Sequence, residues 1–198
     1  MSKGKVTREH ILKNAFTIAS ESGLESLTIG LLAKACGMSK SGLFSHFNSK
    51  ENLQVAVLEY SGLCFRQRVI EPARDQFPEN MEAKLKLLLT NWLQWNHSFQ
   101  GSCMFLDAWK DSTDSNDSVQ KELKKIIQIW VNYLQIQIEK GQSLGVFSAD
   151  IDSKQAVFQL YGVYLSSHLF YSIEVENQSR DMFWQGVEQL FSQWRVEP

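Results

Sequence analysis

The side chains that could carry chemistry are sparse, and their spacing favours recognition over catalysis. His97 and Cys103 could form a nucleophile pair, but no acid, oxyanion loop or second nucleophile motif accompanies them. No His, Cys, Asp or Glu group has metal-ligand spacing, and no glycine-rich phosphate loop is present, so the sequence implies neither an enzyme nor a cofactor. Cys36, Cys64 and Cys103 are an odd set without paired spacing, which points to reduced thiols in a cytoplasm. What remains is the run Ser39, Lys40, Ser41, Gly42, with Phe44, His46 and Lys50 close behind. Ser and Lys can donate to base edges or phosphate oxygens, and small residues let a backbone approach a duplex closely. The charge distribution agrees. Residues 1–50 carry a net +4 and residues 51–198 a net −6, within a whole-chain charge of −2. A basic head can face phosphate while an acidic body is repelled from it.

Such side chains read DNA only if a helix carries them into a groove. A helix-turn-helix needs a small residue where its helices touch, a turn residue tolerant of positive φ, and apolar residues locking the pair. In TIGLLAKACGMSKSGLFSHF these are Ala33, Gly37, and Leu32, Cys36, Met38 and Leu43. Thr28 caps the first helix of the pair, and Ser39 opens the second, which would enter the major groove by its N-terminus. Ser39 would serve a plain solvated helix start equally well as a cap. Asn48 with Glu51 forms a capping box for the next helix, with Lys50 in its first turn. A cation there opposes the helix dipole, a penalty that a docked phosphate reverses. A solvated lysine is the plain alternative. His46 also suits a packing role.

ACGMSKSGLFSHFNSKENL resembles the signature of the tetracycline-repressor (TetR) family of bacterial regulators, Ala-Gly-apolar-Ser-x-x-x-Leu-Tyr-x-His-Phe-x-x-Lys-x-x-Leu. Cys36, Gly37, Met38, Ser39, Leu43, Phe44, His46, Phe47, Lys50 and Leu53 fall on it in register, within a match covering residues 7–60. GSCMF at 101–105 is similar to a Gly-Gly-Cys junction of some members. The resemblance implies that Thr28 contacts a phosphate, that Lys40, Ser41 and Gly42 face base edges, and that His46 and Lys50 hold the backbone. Phe44 stands where the family has Tyr, so its ring can touch a thymine methyl or sugar but cannot donate to phosphate. Cys36 replaces Ala, and Gly42 stands where Thr is common. Further implications are a homodimer on double-stranded DNA and an effector site among the middle helices.

The rest of the chain reads as helix. Apolar residues recur at three- and four-residue steps, prolines are confined to 72, 78 and 198, and no stretch alternates as a strand would. Thr7 caps a first helix burying Ile11, Leu12, Ala15, Phe16 and Ala19, and the second carries Leu31, Leu32 and Ala35. The fourth runs to Pro72, and the fifth carries Leu85, Leu88, Leu89, Trp92 and Phe99. A short sixth follows through Trp109, then a polar loop. Asp117 with Gln120 opens the seventh helix, which Gly141 and Gly145 end; Asp152 opens the eighth, and Ser179 the last. The expected fold is all-α with about nine helices: a helix-turn-helix domain at residues 1–50 and a helical effector and dimerisation domain at 51–198.

Twenty of the 23 aromatic residues lie after residue 50. Most have helical spacing, so core packing is the default for each. A cavity between helices would draw on Trp92, Phe99, Met104, Phe105, Trp109, Trp130, Tyr133, Phe158 and Tyr161. Few charges lie among them, so a small, largely apolar effector is expected. His168, in the otherwise apolar YGVYLSSHLFY, reads as a core or interface histidine. Leu160, Tyr164, Ser167 and Tyr171 form a second apolar face that a partner copy would cover. No apolar run is long enough to span a membrane, and MSKGKVTREHILKNAF is no signal peptide. The expected function is a ligand-responsive regulator that represses transcription from a palindromic operator. A DNA-bound scaffold that recruits a protein partner is the rival.

Overall fold

Helices begin where polar side chains can satisfy their first amide groups. The computed structural model describes residues 3–97, 105, 117–173 and 179–196. Among these are nine α-helices and no strand beyond an isolated bridge, Phe147 with Arg195. By its contacts the chain divides into two compact units, Met1–Arg68 with Trp95–Ile127, and Val69–Gln94 with Gln128–Pro198.

In the first unit, α1 (Lys3–Ser22) buries Ile11, Leu12, Ala15, Phe16 and Ala19. It begins ahead of Thr7, which lies inside the helix rather than capping it. Gly23 at φ +82 turns the chain into a 3-10 turn, Leu24–Ser26. α2 (Ile29–Ala35) follows, capped by Thr28, whose side chain accepts from Leu31 N. So short a helix buries a narrow stripe, Leu32 and Ala33, while Leu31 and Ala35 face outward instead of into the core. α3 (Lys40–Phe47) starts at Ser39 and ends at Asn48, in the left-handed region at φ 67. Asn48 therefore closes α3. The cap of α4 (Lys50–Phe65) is Ser49, whose hydroxyl accepts from Asn52 N.

α4 does not stop before Pro72. It widens into a π turn, Arg66–Ile70, and continues as α5 (Glu71–Gln76). Proline lacks an N–H and crowds the preceding turn; placed in the first turn of α5, after a π turn, it withdraws no donor the helix needs. Leu53, Ala56, Val57, Leu58, Cys64 and Phe65 are all buried on α4, and α4 packs on α1, so the head's core extends past residue 50.

The second unit holds most of α6 (Met81–His97) and the later part of α7 (Ser118–Ser143), with α8 (Ser153–Ser172) and α9 (Ser179–Trp194). Asp117 caps α7 by accepting from Val119 N, and Asp152 caps α8 by accepting from Lys154 N and Gln155 N. α7 runs through Gly141 rather than ending there. A Cβ on Gly141 would sit 2.2 Å from the Phe147 ring, so this glycine admits a core aromatic, while Gly145, at φ +69, makes the turn. At Gly186 a Cβ would lie 3.0 Å from Val163 Cγ1, so a small residue there lets α8 and α9 pack closely. The C-terminal end is pinned twice. Ser148 N donates to Trp194 O, and Arg195 forks onto Glu82 at 3.0 and 2.7 Å and reaches Glu188 at 2.6 Å.

Candidate nucleic-acid interface and aromatic cluster

The turn between α2 and α3 has the geometry its residues demand. Gly37 sits at φ +64, Met38 N donates back to Ala33 O, and Leu32, Ala33 and Leu43 are buried between the helices. Cys36 and Met38 are half-buried, and burial pushes the Cys36 thiol up, so it packs as a neutral group. This fixes α3 with its first turn outward. Thr28, Ser39, Lys40 and Ser41 are exposed, Phe44 is 48% exposed, and Gly42 and His46 are half-buried. Ser39 Oγ accepts from Gly42 N at 3.1 Å and lies 3.3 Å from Ser41 Oγ. A Cβ on Gly42 would sit 3.0 Å from that same hydroxyl, so glycine here keeps the cap intact. The Lys40 stem crosses Gly30, its Cε 3.4 Å from where a Cβ would project. His46 lies beside Phe47, whose ring also carries the Arg8 guanidinium at 5.2 Å. The outward face thus offers hydroxyls, an ammonium and one exposed ring, suited to phosphate, base-edge and sugar contacts.

Lys50 is placed otherwise than as a free cation. Its ammonium donates to the Glu25 carboxylate and to the Glu25 carbonyl, each at 3.0 Å. Gln54, buried, donates to the other carboxylate oxygen and to Leu24 O. The Lys50 hydrogen bond, opposed by partial burial and helped by Gln54, holds the Glu25 carboxyl below its ordinary range. Neither Glu25 nor Gln54 had a signal in the sequence, because their partners lie 25 and 29 residues away and no periodicity links them.

In the second unit, four of the expected pocket residues come together. Trp92 lies 5.3 Å from Trp130 and 4.9 Å from Tyr161 between ring centroids, and Trp130 stacks on Tyr133. The centre of the cluster is Tyr164, stacked on Trp92 at 3.6 Å. Tyr164 and Leu160 are thus buried in the chain's own core, not presented to a partner. A helix with two apolar faces gives no sequence signal of which is inner; here Ala156, Val157, Leu160 and Tyr164 face the core, while Phe158 and Tyr171 stay exposed. His168 stacks on Tyr164. Trp92 and Trp130 are buried, while Tyr133 and Tyr161 are half-buried and form the accessible side. Phe158 does not join them: it is 72% exposed on the outer face of α8. Phe105 belongs to the first unit, against Phe65, which also meets Trp95. Phe99, Met104, Trp109 and Cys103 lie outside the described residues.

Along α8 and α9 runs an apolar groove of about 440 Å³, lined by residues including Gly162, Val163, Phe170, Met182 and Leu190. Phe158, Leu165, Leu169 and Met182 are exposed on these two helices. Among the described residues no group of three His, Cys, Asp or Glu could hold a metal ion, and no helix is long and apolar enough to cross a membrane.

Comparison with known proteins places both parts of the chain. The sequence model of bacterial regulatory proteins of the tetR family matches residues 11–57, and that of the tetracyclin repressor-like C-terminal domain matches residues 82–187. The transcriptional regulator AcrR of Shigella flexneri is 36% identical over 88 residues, 44% of this chain and 40% of AcrR, so the match spans two fifths of that relative. The transcriptional repressor NemR of Escherichia coli is 21% identical over 166 residues, 82% of each chain. A TetR transcriptional regulator from Chloroflexus aurantiacus shares the fold over the full length of both chains, with a TM-score of 0.82 at 19% identity.

Proposed function

The chain belongs to the tetracycline-repressor family of bacterial regulators, and on that premise we propose that it is a dimeric repressor released from its operator by a small, largely apolar effector. The observation that carries the reading is the helix-turn-helix itself: Gly37 at φ +64, a locked Leu32–Leu43 core, and the first turn of α3 turned outward. In this reading residues 1–50 touch DNA, with Thr28, Ser39, Lys40, Ser41, Gly42, Phe44 and His46 at the duplex, and residues 51–198 sense the effector and dimerise.

Regulators of this family bind DNA and act as dimers. One short recognition helix touches too few base pairs for useful specificity, and a two-fold pair doubles the site. The exposed apolar face of α8 and α9 is the surface a second copy would cover. The effector would meet the aromatic cluster from its Tyr133 and Tyr161 side. Chain continuity supplies the coupling, because the π turn, α6 and α7 each pass from one unit into the other. The close stacking of Trp92 on Tyr164 is what a scaffold without a ligand would also show, so ligand binding has to be measured. Selection of bound fragments from genomic DNA tests the reading. A repressor enriches a few sites lying over promoters; enrichment of none would overturn it.

A further inference from the structure

The Glu25–Lys50–Gln54 cluster sits on the surface that the DNA reading turns toward phosphate, and it carries an acid where that reading needs a base. A lysine ammonium has three N–H donors, and Glu25 takes two, one through its carboxylate and one through its carbonyl. The carboxylate is not free to swing away. Gln54, 5% exposed, holds its other oxygen at 3.0 Å and the neighbouring Leu24 carbonyl at 3.2 Å. Both charged groups remain open to solvent, with side chains 44% exposed for Lys50 and 62% for Glu25. Glu25 also stands three residues ahead of Thr28, the cap of α2 and itself a candidate phosphate contact. A fixed, exposed carboxylate here is repelled by every phosphate that approaches Thr28 or Lys50.

We propose that Glu25 is an attenuating residue of the DNA interface: it neutralises Lys50 in place and so weakens the sequence-independent grip on phosphate. The proposal rests on the reading that the first unit binds DNA. Sequence-independent affinity comes from counterions released as cations neutralise phosphates, about 0.9 per cation in the salt slope. A Lys–Glu pair of zero net charge adds nothing to that slope. The free lysine adds nearly one, and the free carboxylate subtracts about as much. Because phosphate contacts serve specific and non-specific complexes alike, the pair lowers both affinities by a similar factor and leaves the ratio between them to the base contacts of α3.

The test is a salt titration of binding to a fluorescein-labelled random-sequence duplex, read by anisotropy on the full-length protein. Glu25→Gln should tighten binding about three- to tenfold at low salt and steepen the slope by about one. Lys50→Gln should weaken binding and make the slope shallower by a similar amount. The double variant should return to the wild-type slope. Glu25→Ala repeats the charge change without an amide, and thermal melts of every variant show that the head is folded. Asp150→Asn, an exposed acid of the second unit, makes the same change in net charge and should leave the slope unchanged. If Glu25→Gln weakens binding, Glu25 only positions Lys50 and the inference fails. If neither single variant moves the slope, the pair does not face DNA and it fails as well. A wild-type protein that binds no duplex at low salt overturns the underlying DNA reading instead.

Discussion

Gly37 has nothing within 4 Å of the place its Cβ would occupy, so its requirement is entirely one of backbone angle. At φ +64 a side chain costs about 1–2 kcal/mol, more for a β-branched one. Gly37→Val should therefore lower stability by at least about 1–2 kcal/mol and abolish duplex binding while the second unit stays folded. Gly37→Asn should retain most of the binding, as Asn48 already occupies φ 67 in this chain. Melting curves and anisotropy on the same samples check both; a Gly37→Val protein that melts and binds as wild type would contradict the turn. At this scale the sequence was informative wherever chemistry is local. Thr28, Ser39, Gly37 and Asp152 do what their types and neighbours imply. It was silent wherever a partner is distant, as with the Glu25 clamp on Lys50, and ambiguous between adjacent polar residues, which is why Ser49 rather than Asn48 caps α4.

Helices were legible from apolar periodicity, but their ends and their choice of inner face depended on packing. Pro72 reads as a stop, and a π turn carries the helix past it; Gly141 reads as a stop, and the Phe147 ring explains its presence inside α7. On α8 the inner face proved to be Leu160 and Tyr164. Phe158→Glu or Leu169→Glu should give folded monomers by light scattering, whereas Leu160→Glu should unfold the second unit, since it buries an unpaired charge. A Phe158→Glu, Leu169→Glu double variant that remains dimeric would remove this face from the interface. The clasp between α6 and α9 makes a pH prediction. Arg195 first, then Lys86, lower the Glu82 carboxyl to about 2. A carboxyl depressed in the folded state contributes stability above its unfolded pKa and loses it as pH falls toward the folded value. Melting temperature should thus drop between pH 4.5 and 2, and less steeply in Glu82→Gln, which itself costs roughly 1 kcal/mol at neutral pH. Equal pH slopes for the two proteins would contradict the assignment.

For the whole molecule, the sequence made the all-helical class and the basic head plain, through composition, charge asymmetry and one motif. It could not show how the aromatic residues distribute, because most of them share the same helical spacing. Trp92, Trp130, Tyr133 and Tyr161 converge, while Phe158 turns outward. A ligand entering that cluster should change tryptophan fluorescence and raise the melting temperature, since it binds only the folded state. By linkage, operator DNA should weaken its binding by the same factor that it weakens DNA binding, typically about 5–150-fold. A ligand bound equally well with and without operator is not the inducer. Whether a two-fold dimer reads DNA through α3 is decided by selecting bound duplexes from a random-sequence pool and sequencing them. The selected duplexes should carry an inverted repeat whose half-site centres lie about one helical turn, 10–10.5 base pairs, or a multiple of it apart. A single unrepeated motif, or no enrichment at all, would contradict a two-fold dimer on DNA.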